Sequence, residues 1–116
     1  MDSILEWIES LKRTESVIIV EGLKDKKVLA EFGVFNVVTL KKPLFRVVEE
    51  LSHEEEVILL VDVDKEGKRI YGKLRRGFER FGVRVDDRFR NFLIKHTSLR
   101  QVEGLKHYIL HSEKGV

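Results

Sequence analysis

Two short stretches decide the fold that this sequence predicts: VIIVEG at residues 17–22 and VILLVDVDKEG at residues 57–67. Each begins with a run of aliphatic, largely β-branched residues, which is typical of a strand buried on both faces of a sheet. Each run stops at an acidic residue, and a glycine follows within a few positions. Such strands, alternating with helical patterns, predict an α/β domain whose parallel sheet is covered by helices on both faces.

The segments around these strands have the spacing of amphipathic helices and further strands. Apolar residues recur at helical intervals in four segments, residues 4–11, 28–32, 44–51 and 70–81. Short apolar runs at residues 37–40 and 83–85 predict two more strands. Pro43 is expected in the first turn of its helix, and Phe81 is expected on the buried stripe of the basic helix. We therefore expect a three-layer, Rossmann-like fold with a mainly parallel four-stranded sheet in the order 2-1-3-4.

The last thirty residues give weaker patterns. Phe89, Phe92 and Leu93 favour a short helix that Asp86 or Asp87 opens, and an edge strand at residues 91–94 is the alternative. A final amphipathic segment contains apolar residues at helical spacing, namely Val102, Leu105, Tyr108 and Ile109.

No composition shift or linker marks an internal boundary in this sequence. We expect one domain over residues 1–116, with an N-terminal helix at 1–15, a core at 16–95 and a C-terminal helical extension at 96–116. A chain of 116 residues is long enough to bury a hydrophobic core without disulfides or structural metal.

The composition excludes several classes of protein. The chain has no Cys, so it has neither a disulfide framework nor a thiolate zinc site. No apolar run approaches the ~18 residues that a membrane span needs, and the start MDSILEWIES lacks the features of a signal peptide. We therefore expect a soluble, cytoplasmic protein with no membrane partner. The high content of Glu, Lys and Arg is typical of a thermophile.

The charged residues are distributed unevenly, although the net charge is only +2. Residues 65–90 contain ten Lys and Arg against four Asp and Glu, whereas residues 49–56 contain five acids and no Lys or Arg. This pattern indicates either a polarised surface that suits nucleic acid or ordinary solvated helix faces.

Three carboxylates carry the chemistry that the sequence predicts. Glu21 follows the first strand, and Asp62 and Asp64 follow the third, two residues apart. The carboxyl ends of parallel strands form the ligand crevice of an open α/β sheet, so these groups converge if the two strands are neighbours. Clustered carboxylates repel one another, and a divalent cation such as Mg²⁺ relieves that repulsion. The alternative for each acid is a structural role, such as a helix cap.

Other residues of these segments have predicted structural roles. Gly22 is expected to free the backbone for the turn into the next helix. Asp64 is a candidate cap for the helix at residues 65–80. Asp25 is a candidate cap for the helix that contains residues 28–32.

At these residues the sequence resembles the Toprim family. Toprim domains have a Glu-Gly pair after the first strand, matched here by Glu21 and Gly22, and an Asp-x-Asp with a nearby Gly after the third. The matching positions of that second motif are Asp62, Asp64 and Gly67. The resemblance covers roughly residues 16–95, and the segment Asp25-x-x-Val-Leu is also similar to the helix start of primase-like members.

The resemblance implies a chemical role for each acid. The family includes primases, type IA and type II topoisomerases, a recombination mediator, overcoming-lysogenization-type nucleases and the ribonuclease that matures five-S ribosomal RNA. By resemblance, Glu21 is a general acid or base that also ligates metal, and Asp62 and Asp64 hold Mg²⁺, with Mn²⁺ as a substitute. The stretch RQVEGL at residues 100–105 resembles the small stand-alone members, which makes Glu103 a possible site residue.

Basic residues flank the predicted acidic site. Six of them lie at the starts of the two adjoining helices and are candidates for binding nucleic-acid phosphates: Lys24, Lys26, Lys27, Lys65, Lys68 and Arg69. Exposed helix-face charges are the alternative interpretation. Tyr71 and Tyr108 lie on helical apolar stripes, which favours packing over a covalent link to DNA.

Two functions of different classes remain open from the sequence. The first is an Mg²⁺-dependent nuclease, similar to a ribonuclease, or another phosphodiester-processing enzyme. The second is a non-catalytic nucleic-acid-binding or adaptor module of the recombination-mediator type, with a homodimer or partner protein as a further possibility. The first strand ends in a single Glu, which argues against a phosphorylated receiver domain, and no GxxxxGK[ST] phosphate loop occurs. Both DNA and RNA remain open as the substrate.

Overall fold

Six α-helices, one 3₁₀ turn and four strands are found in the computed structural model, which describes the backbone of residues 1–114 and the side chains of residues 1–111. In chain order they are α1 (Ile4–Arg13), β1 (Val17–Val20), α2 (Leu23–Glu31), β2 (Val37–Thr39), α3 (Leu44–Glu50), β3 (Glu56–Leu59), α4 (Lys65–Arg80), β4 (Arg84–Asp86), α5 (Arg88–His96), the 3₁₀ turn (Val102–Gly104) and α6 (Leu105–Lys114). The predicted extension at 96–116 thus contains helix as far as the structure describes it, and residues 115–116 lie outside the described residues.

The four strands form one parallel sheet in the order β2-β1-β3-β4, as predicted. Ile18 pairs with Val37 on one side and with Ile58 on the other, so β1 lies directly beside β3. This neighbourhood brings the residues after both strands to the same edge of the sheet.

Each face of the sheet is covered by its own hydrophobic core, which makes the three layers. Side chains from alternate strand positions, such as Ile18 and Ile58, pack with α1, α2, α5 and α6 in one core. The intervening positions, such as Ile19 and Leu59, pack with α3 and α4 in the other. The strands are therefore buried on both faces, which explains why they are continuous apolar runs rather than alternating ones.

The structure corrects two local predictions and confirms a third. Phe81 is 55% exposed rather than buried, because α4 ends at Arg80 and the chain leaves the helical stripe there. Pro43 precedes the first residue of α3 instead of lying within its first turn. Residues 88–96 form the helix α5, as preferred over an edge strand. No helix among the described residues has the length and apolar character that crossing a membrane requires.

Candidate metal centre

Three carboxylates meet at the carboxyl edge of the sheet. One side-chain oxygen from each of Glu21, Asp62 and Asp64 lies within 4.8 Å of those of the other two. Glu21 directly follows β1, and both aspartates lie in the loop between β3 and α4. The predicted convergence is therefore confirmed, and it follows from the pairing of β1 with β3.

A hydrogen bond joins the ends of the two central strands at this point. The backbone N–H of Asp62 donates to Oε2 of Glu21 at 2.7 Å. Burial raises the pKa of Glu21, this N–H opposes the rise, and the charges of Asp64, Asp25 and Glu66 add to it. Glu21 is thus held in one orientation in a setting that favours its protonated form more than water does.

Asp64 has a structural role in addition to its place in the cluster. It is the N-cap of α4, and its Oδ1 accepts a hydrogen bond from the N–H of Gly67 at 2.6 Å. The alternative interpretation of Asp64 as a helix cap is therefore correct, and its exposed side chain also faces the other two acids.

Gly67 is required by a close approach of α4 to the loop before it. A Cβ at this position would overlap the carbonyl oxygen of Asp62. Gly22 is different: its backbone is extended, with φ −138° and ψ 173°, and a Cβ there would meet Asp25 only at an ordinary 3.8 Å. The predicted need for glycine at position 22 is therefore not supported by the backbone conformation.

Asp62 is the most electrostatically strained member of the cluster. Its Oδ1 is buried and has no hydrogen-bond partner among the described residues. Burial and then the charges of Glu21, Asp25, Asp64 and Glu103 raise the pKa of Asp62 to about 7. None of the three clustered carboxylates forms an ion pair with a described Lys or Arg side chain. The buried guanidinium of Arg90 lies near enough to attract all three electrostatically, but its hydrogen bonds go to backbone carbonyls.

These groups fit the requirements of a divalent cation. Mg²⁺ binds to carboxylate oxygens and retains several waters, so a few carboxylates on one side are sufficient. The unpartnered oxygen of Asp62 and the mutual repulsion within the cluster are both relieved by a bound cation. The acidic group could therefore hold a metal ion.

Asp25 and Glu103 lie beside the centre and connect two parts of the chain. Asp25 is the third residue of α2 rather than its cap, and its Oδ2 accepts from the N–H of Gly22 at 3.0 Å. Its Oδ1 accepts from the N–H of Glu103, also at 3.0 Å. Both Asp25 oxygens are thus engaged by backbone, while the side chain of Glu103 is exposed.

Two arginines that have no role predicted from the sequence hold the backbone of residues 61–63, around the two aspartates. The buried Arg90 donates to the backbone carbonyls of Val61 and Asp62, at 3.2 and 3.0 Å, and lies over the Tyr71 ring at 4.7 Å. Arg100 makes two contacts with Val63. Its backbone carbonyl accepts a hydrogen bond from the Val63 N–H at 2.7 Å, and its guanidinium donates one to the Val63 carbonyl at 3.2 Å. An arginine that contacts backbone carbonyls has no spacing pattern, so no sequence signal was available for either residue.

The predicted basic residues lie on exposed surfaces around the centre. Lys24 and Lys27 line a groove of about 910 Å³ between α2 and the segment from Ser98 to His111. Arg100, His107, Tyr108 and His111 line the same groove, and the rings of the two histidines are 4.0 Å apart. Lys26 lies instead in a smaller groove beside the edge strand β2.

The other basic residues lie at the start of α4. Lys65, Lys68 and Arg69 are exposed in its first turns, and Arg69 pairs with Glu66. Tyr71 donates a hydrogen bond to Asp87 at 2.8 Å, and its ring lies under the Arg90 guanidinium, which agrees with a packing role.

Known proteins resemble this chain along most of its length. A UPF0292 protein of Methanocaldococcus jannaschii is 32% identical over 116 residues, covering 93% of this chain and 91% of that protein. A UPF0292 protein of Thermococcus gammatolerans is 34% identical, covering 88% of this chain and 77% of that protein. A solved structure of a protein from Aquifex aeolicus superposes with a TM-score of 0.83 and 41% identity, covering 89% of this chain and 98% of that one.

The family match includes all three clustered acids. The profile of the Toprim domain matches residues 16–88, which extend from the residue before β1 to the start of α5. Together with the 2-1-3-4 sheet and the acidic cluster at its carboxyl edge, this match shows that the chain belongs to the Toprim domain family.

Proposed function

We propose that this chain is an Mg²⁺-dependent nuclease, in which Glu21 is the general acid or base and Asp62 and Asp64 hold the ion. Membership of the Toprim family indicates metal-dependent processing of nucleic acid, and Toprim domains generally bind Mg²⁺. The observation that carries the nuclease proposal is the carboxylate oxygen Oδ1 of Asp62, which is buried beside two other acids and has no hydrogen-bond partner among the described residues.

The roles of the residues follow from their surroundings. Glu21 uses Oε2 for the Asp62 N–H, which keeps its carboxyl group beside the cluster and leaves Oε1 available for a proton. The raised pKa of Glu21, caused chiefly by burial, brings its titration closer to neutral pH than that of a free carboxyl group. A carboxyl group whose pKa is raised in this way is a better proton acceptor than a free carboxylate.

The chemistry is the hydrolysis of a phosphodiester. Water adds to phosphorus, the bond from phosphorus to one ester oxygen breaks, and a proton passes from the water to the departing oxygen. Glu21 accepts or delivers this proton in the proposed mechanism. A bound Mg²⁺ supplies neutralisation of the negative charge that develops on the phosphate. Asp62 and Asp64 hold that ion, and their loop is kept in place by Arg90 and Arg100.

The basic groove beside α2 gives the proposal a surface for the substrate backbone. Lys24, Lys27 and Arg100 contribute cations close to the acidic edge, and cations of this kind bind phosphates in a salt-dependent way. The other predicted phosphate-binding residues, Lys65, Lys68 and Arg69, lie in the first turns of α4, which covers the opposite face of the sheet from α2. We propose that nucleic acid spans these two sides with one phosphate at the acidic centre.

The experiment that tests the proposal is a cleavage assay. Purified protein is incubated with labelled RNA and DNA, single-stranded and double-stranded, in Mg²⁺, Mn²⁺ or EDTA. Cleavage is expected only with the metals, and Glu21→Gln should lower turnover by roughly 10²–10⁴ with little change in affinity, because the amide keeps its shape but does not titrate.

A matched control isolates the chemistry of Glu21. Glu54→Gln removes a carboxylate of the same type from the acidic segment before β3, away from the centre, and should leave turnover unchanged. Cleavage by the Glu21 variant at the wild-type rate would remove the catalytic role. Metal-dependent binding without cleavage of any tested substrate would favour the adaptor function instead.

A further inference from the structure

A second groove lies on the opposite side of the sheet from Lys24 and Lys27, between α3 and α4. It encloses about 640 Å³. The two helices approach closely at its floor. A Cβ on Gly77 of α4 would lie only 3.0 Å from a methyl group of Val48 of α3, which shows how close this contact is. The groove is therefore a built feature of the helix pair, and it is separate from the acidic centre.

Two phenylalanines line this groove with most of their surface in solvent. Phe45 of α3 is 63% exposed, and Phe81, just after α4, is 55% exposed. Exposed aromatic rings are unfavourable in water, and their presence in one groove indicates a surface that is covered by a ligand. Neither ring contributes to a hydrophobic core of the domain.

Four cations line the same groove along one face of α4. Arg69, Lys73, Arg76 and Arg80 recur at helical spacing, at intervals of four, three and four residues. Arg69 pairs with Glu66, while Lys73, Arg76 and Arg80 form no ion pair with any described side chain. Glu49 is the acidic residue that lines the groove. The groove is thus strongly positive.

The row of cations begins next to the acidic centre. Asp64 caps α4, and Arg69 lies about 7.5 Å farther along the helix axis at 1.5 Å per residue. Arg80 lies about 24 Å from Asp64 by the same measure. A polyanion with one phosphate at the three carboxylates can therefore follow α4 and reach both phenylalanines.

We propose that the groove between α3 and α4 binds single-stranded nucleic acid, with Phe45 and Phe81 stacking on unpaired bases and Lys73, Arg76 and Arg80 contacting phosphates. This inference rests on the proposed function, since it names the form of nucleic acid that the acidic centre receives. A row of cations beside exposed aromatic rings is the usual basis of single-strand binding. In a duplex the bases are stacked on each other, so the two rings find no partner.

The charge of the groove favours nucleic acid over a protein ligand. Four cations and one acid line the groove, so a ligand with many negative charges fits it better than an apolar protein segment. The continuity of these cations with the acidic centre is explained by a ligand that is anionic along its whole length. An apolar protein segment requires neither feature.

The test measures binding separately from cleavage. Fluorescence anisotropy is recorded in EDTA with a labelled 20-nucleotide single strand, as DNA and as RNA, and with the matching duplexes. Phe45→Ala/Phe81→Ala should weaken single-strand binding at least about tenfold and duplex binding less than about threefold. Phe45→Trp/Phe81→Trp should retain binding, since the larger rings still stack. Phe35→Ala is the matched control, because Phe35 is 74% exposed in the loop before β2 and does not line this groove, and it should change neither affinity.

A second set of variants tests the phosphate contacts. Lys73→Gln/Arg76→Gln/Arg80→Gln should reduce the slope of log affinity against log salt by about two, at about 0.7 per cation for a single strand. The control Arg13→Gln/Lys41→Gln/Lys95→Gln removes the same charge from other surfaces and should alter the slope far less. Circular dichroism melts establish that every variant is folded.

The outcomes separate this inference from the proposed function. If the double Ala variant binds as well as Phe35→Ala, if duplex binding falls equally, or if wild-type protein binds no single strand in EDTA, the groove assignment is wrong. Loss of self-association in the double Ala variant with unchanged oligonucleotide binding would mean that the groove is a protein interface, which also overturns it. Single-strand binding through the groove, with no cleavage in Mg²⁺, would support this inference while the nuclease proposal fails.

Discussion

Two aspartates next to neighbouring strands have opposite electrostatic surroundings. Asp86 ends β4 and is 7% exposed, and its carboxylate accepts from the Arg88 N–H at 3.0 Å and from the Arg88 guanidinium at 2.8 and 3.1 Å. Burial alone would raise the pKa of Asp86, but Arg88 reverses that effect and holds it below its usual value. Asp62 follows β3, its carboxylate forms no ion pair with a described side chain, and burial raises its pKa to about 7.

The difference distinguishes a carboxylate that is paired within the fold from one that forms no ion pair with a described side chain. Other carboxylates near Asp86 are also paired with arginines: Glu56 pairs with Arg84 at 2.7 Å, and Asp87 pairs with Arg75 at 3.0 Å. A charge that is neutralised within the chain stabilises the native state, whereas clustered charges of one sign destabilise it until something outside the chain binds. The region around Asp62 is thus arranged at a cost in stability.

The largest expected effect comes from disturbing the backbone that holds Asp62. Gly67→Ala should lower the free energy of unfolding by about 3–4 kcal/mol, because the new Cβ overlaps the Asp62 carbonyl and forces α4 away from the loop. Gly72→Ala is the control in the same helix, where the Cβ meets only the flexible Arg76 guanidinium at 3.2 Å. It should stabilise by about 0.5–1 kcal/mol. Urea unfolding measures both, and an equal effect at the two glycines would contradict the close approach.

Removing each aspartate charge should change stability in opposite directions. In metal-free protein at pH 8, Asp62→Asn should stabilise by about 1–2 kcal/mol, because it removes a half-buried charge repelled by Glu21 and Asp64. Asp86→Asn should destabilise by about 1–2 kcal/mol, because it weakens the Arg88 interactions. Chemical denaturation in EDTA measures the two differences, and effects of the same sign would contradict the comparison.

The pH dependence of stability sharpens the same contrast. Between about pH 4 and pH 7 the folded protein retains a proton on Asp62 that the unfolded chain has lost, so stability should fall as pH rises, by about 1 kcal/mol from pH 5 to pH 7. Asp86 has a lowered pKa, so its contribution should be lost only as pH falls below about 4. Melts in EDTA across this range should show a flatter profile for Asp62→Asn. An unchanged profile would mean that Asp62 does not titrate there.

The smallest effect is expected from the ion itself. Mg²⁺ at three times its Kd should raise the free energy of unfolding of the wild-type protein at pH 7.5 by about 0.8 kcal/mol. The reference is the same protein in metal-free buffer with EDTA. Calorimetry should show weak binding, further weakened in Asp62→Asn and Asp64→Asn, and unaffected in Asp86→Asn. Undiminished binding in the first two variants would place the ion elsewhere.

The sheet and the convergence of three acids were predictable because both follow from strong local patterns. Buried strands appear as unbroken apolar runs, and the acids that follow them must share an edge once the strand order is known. The same reasoning failed for Gly22 and Phe81, because motif position and helical spacing do not give the backbone angles or the residue at which a helix ends.

The supports of the acidic loop could not be predicted from the sequence. Arg90 and Arg100 contact backbone carbonyls of residues 61–63, and Asp25 accepts from the N–H of Glu103. Contacts to backbone depend on distance in space and are independent of the partner's residue type. The stretch at residues 100–105 was noted for its Glu103 side chain, but the groups that make the contact are its backbone atoms.

The double contact between Arg100 and Val63 has a consequence for the order of events during synthesis. Glu21, Asp62 and Asp64 are all translated within the first 64 residues, but the hydrogen bonds that fix Val63 come from residue 100. A nascent chain that has emerged only to β4 carries all three acids, but the backbone between Asp62 and Asp64 lacks its hydrogen bonds to Arg100. The loop of the acidic centre is therefore fully secured only after residue 100 has left the ribosome.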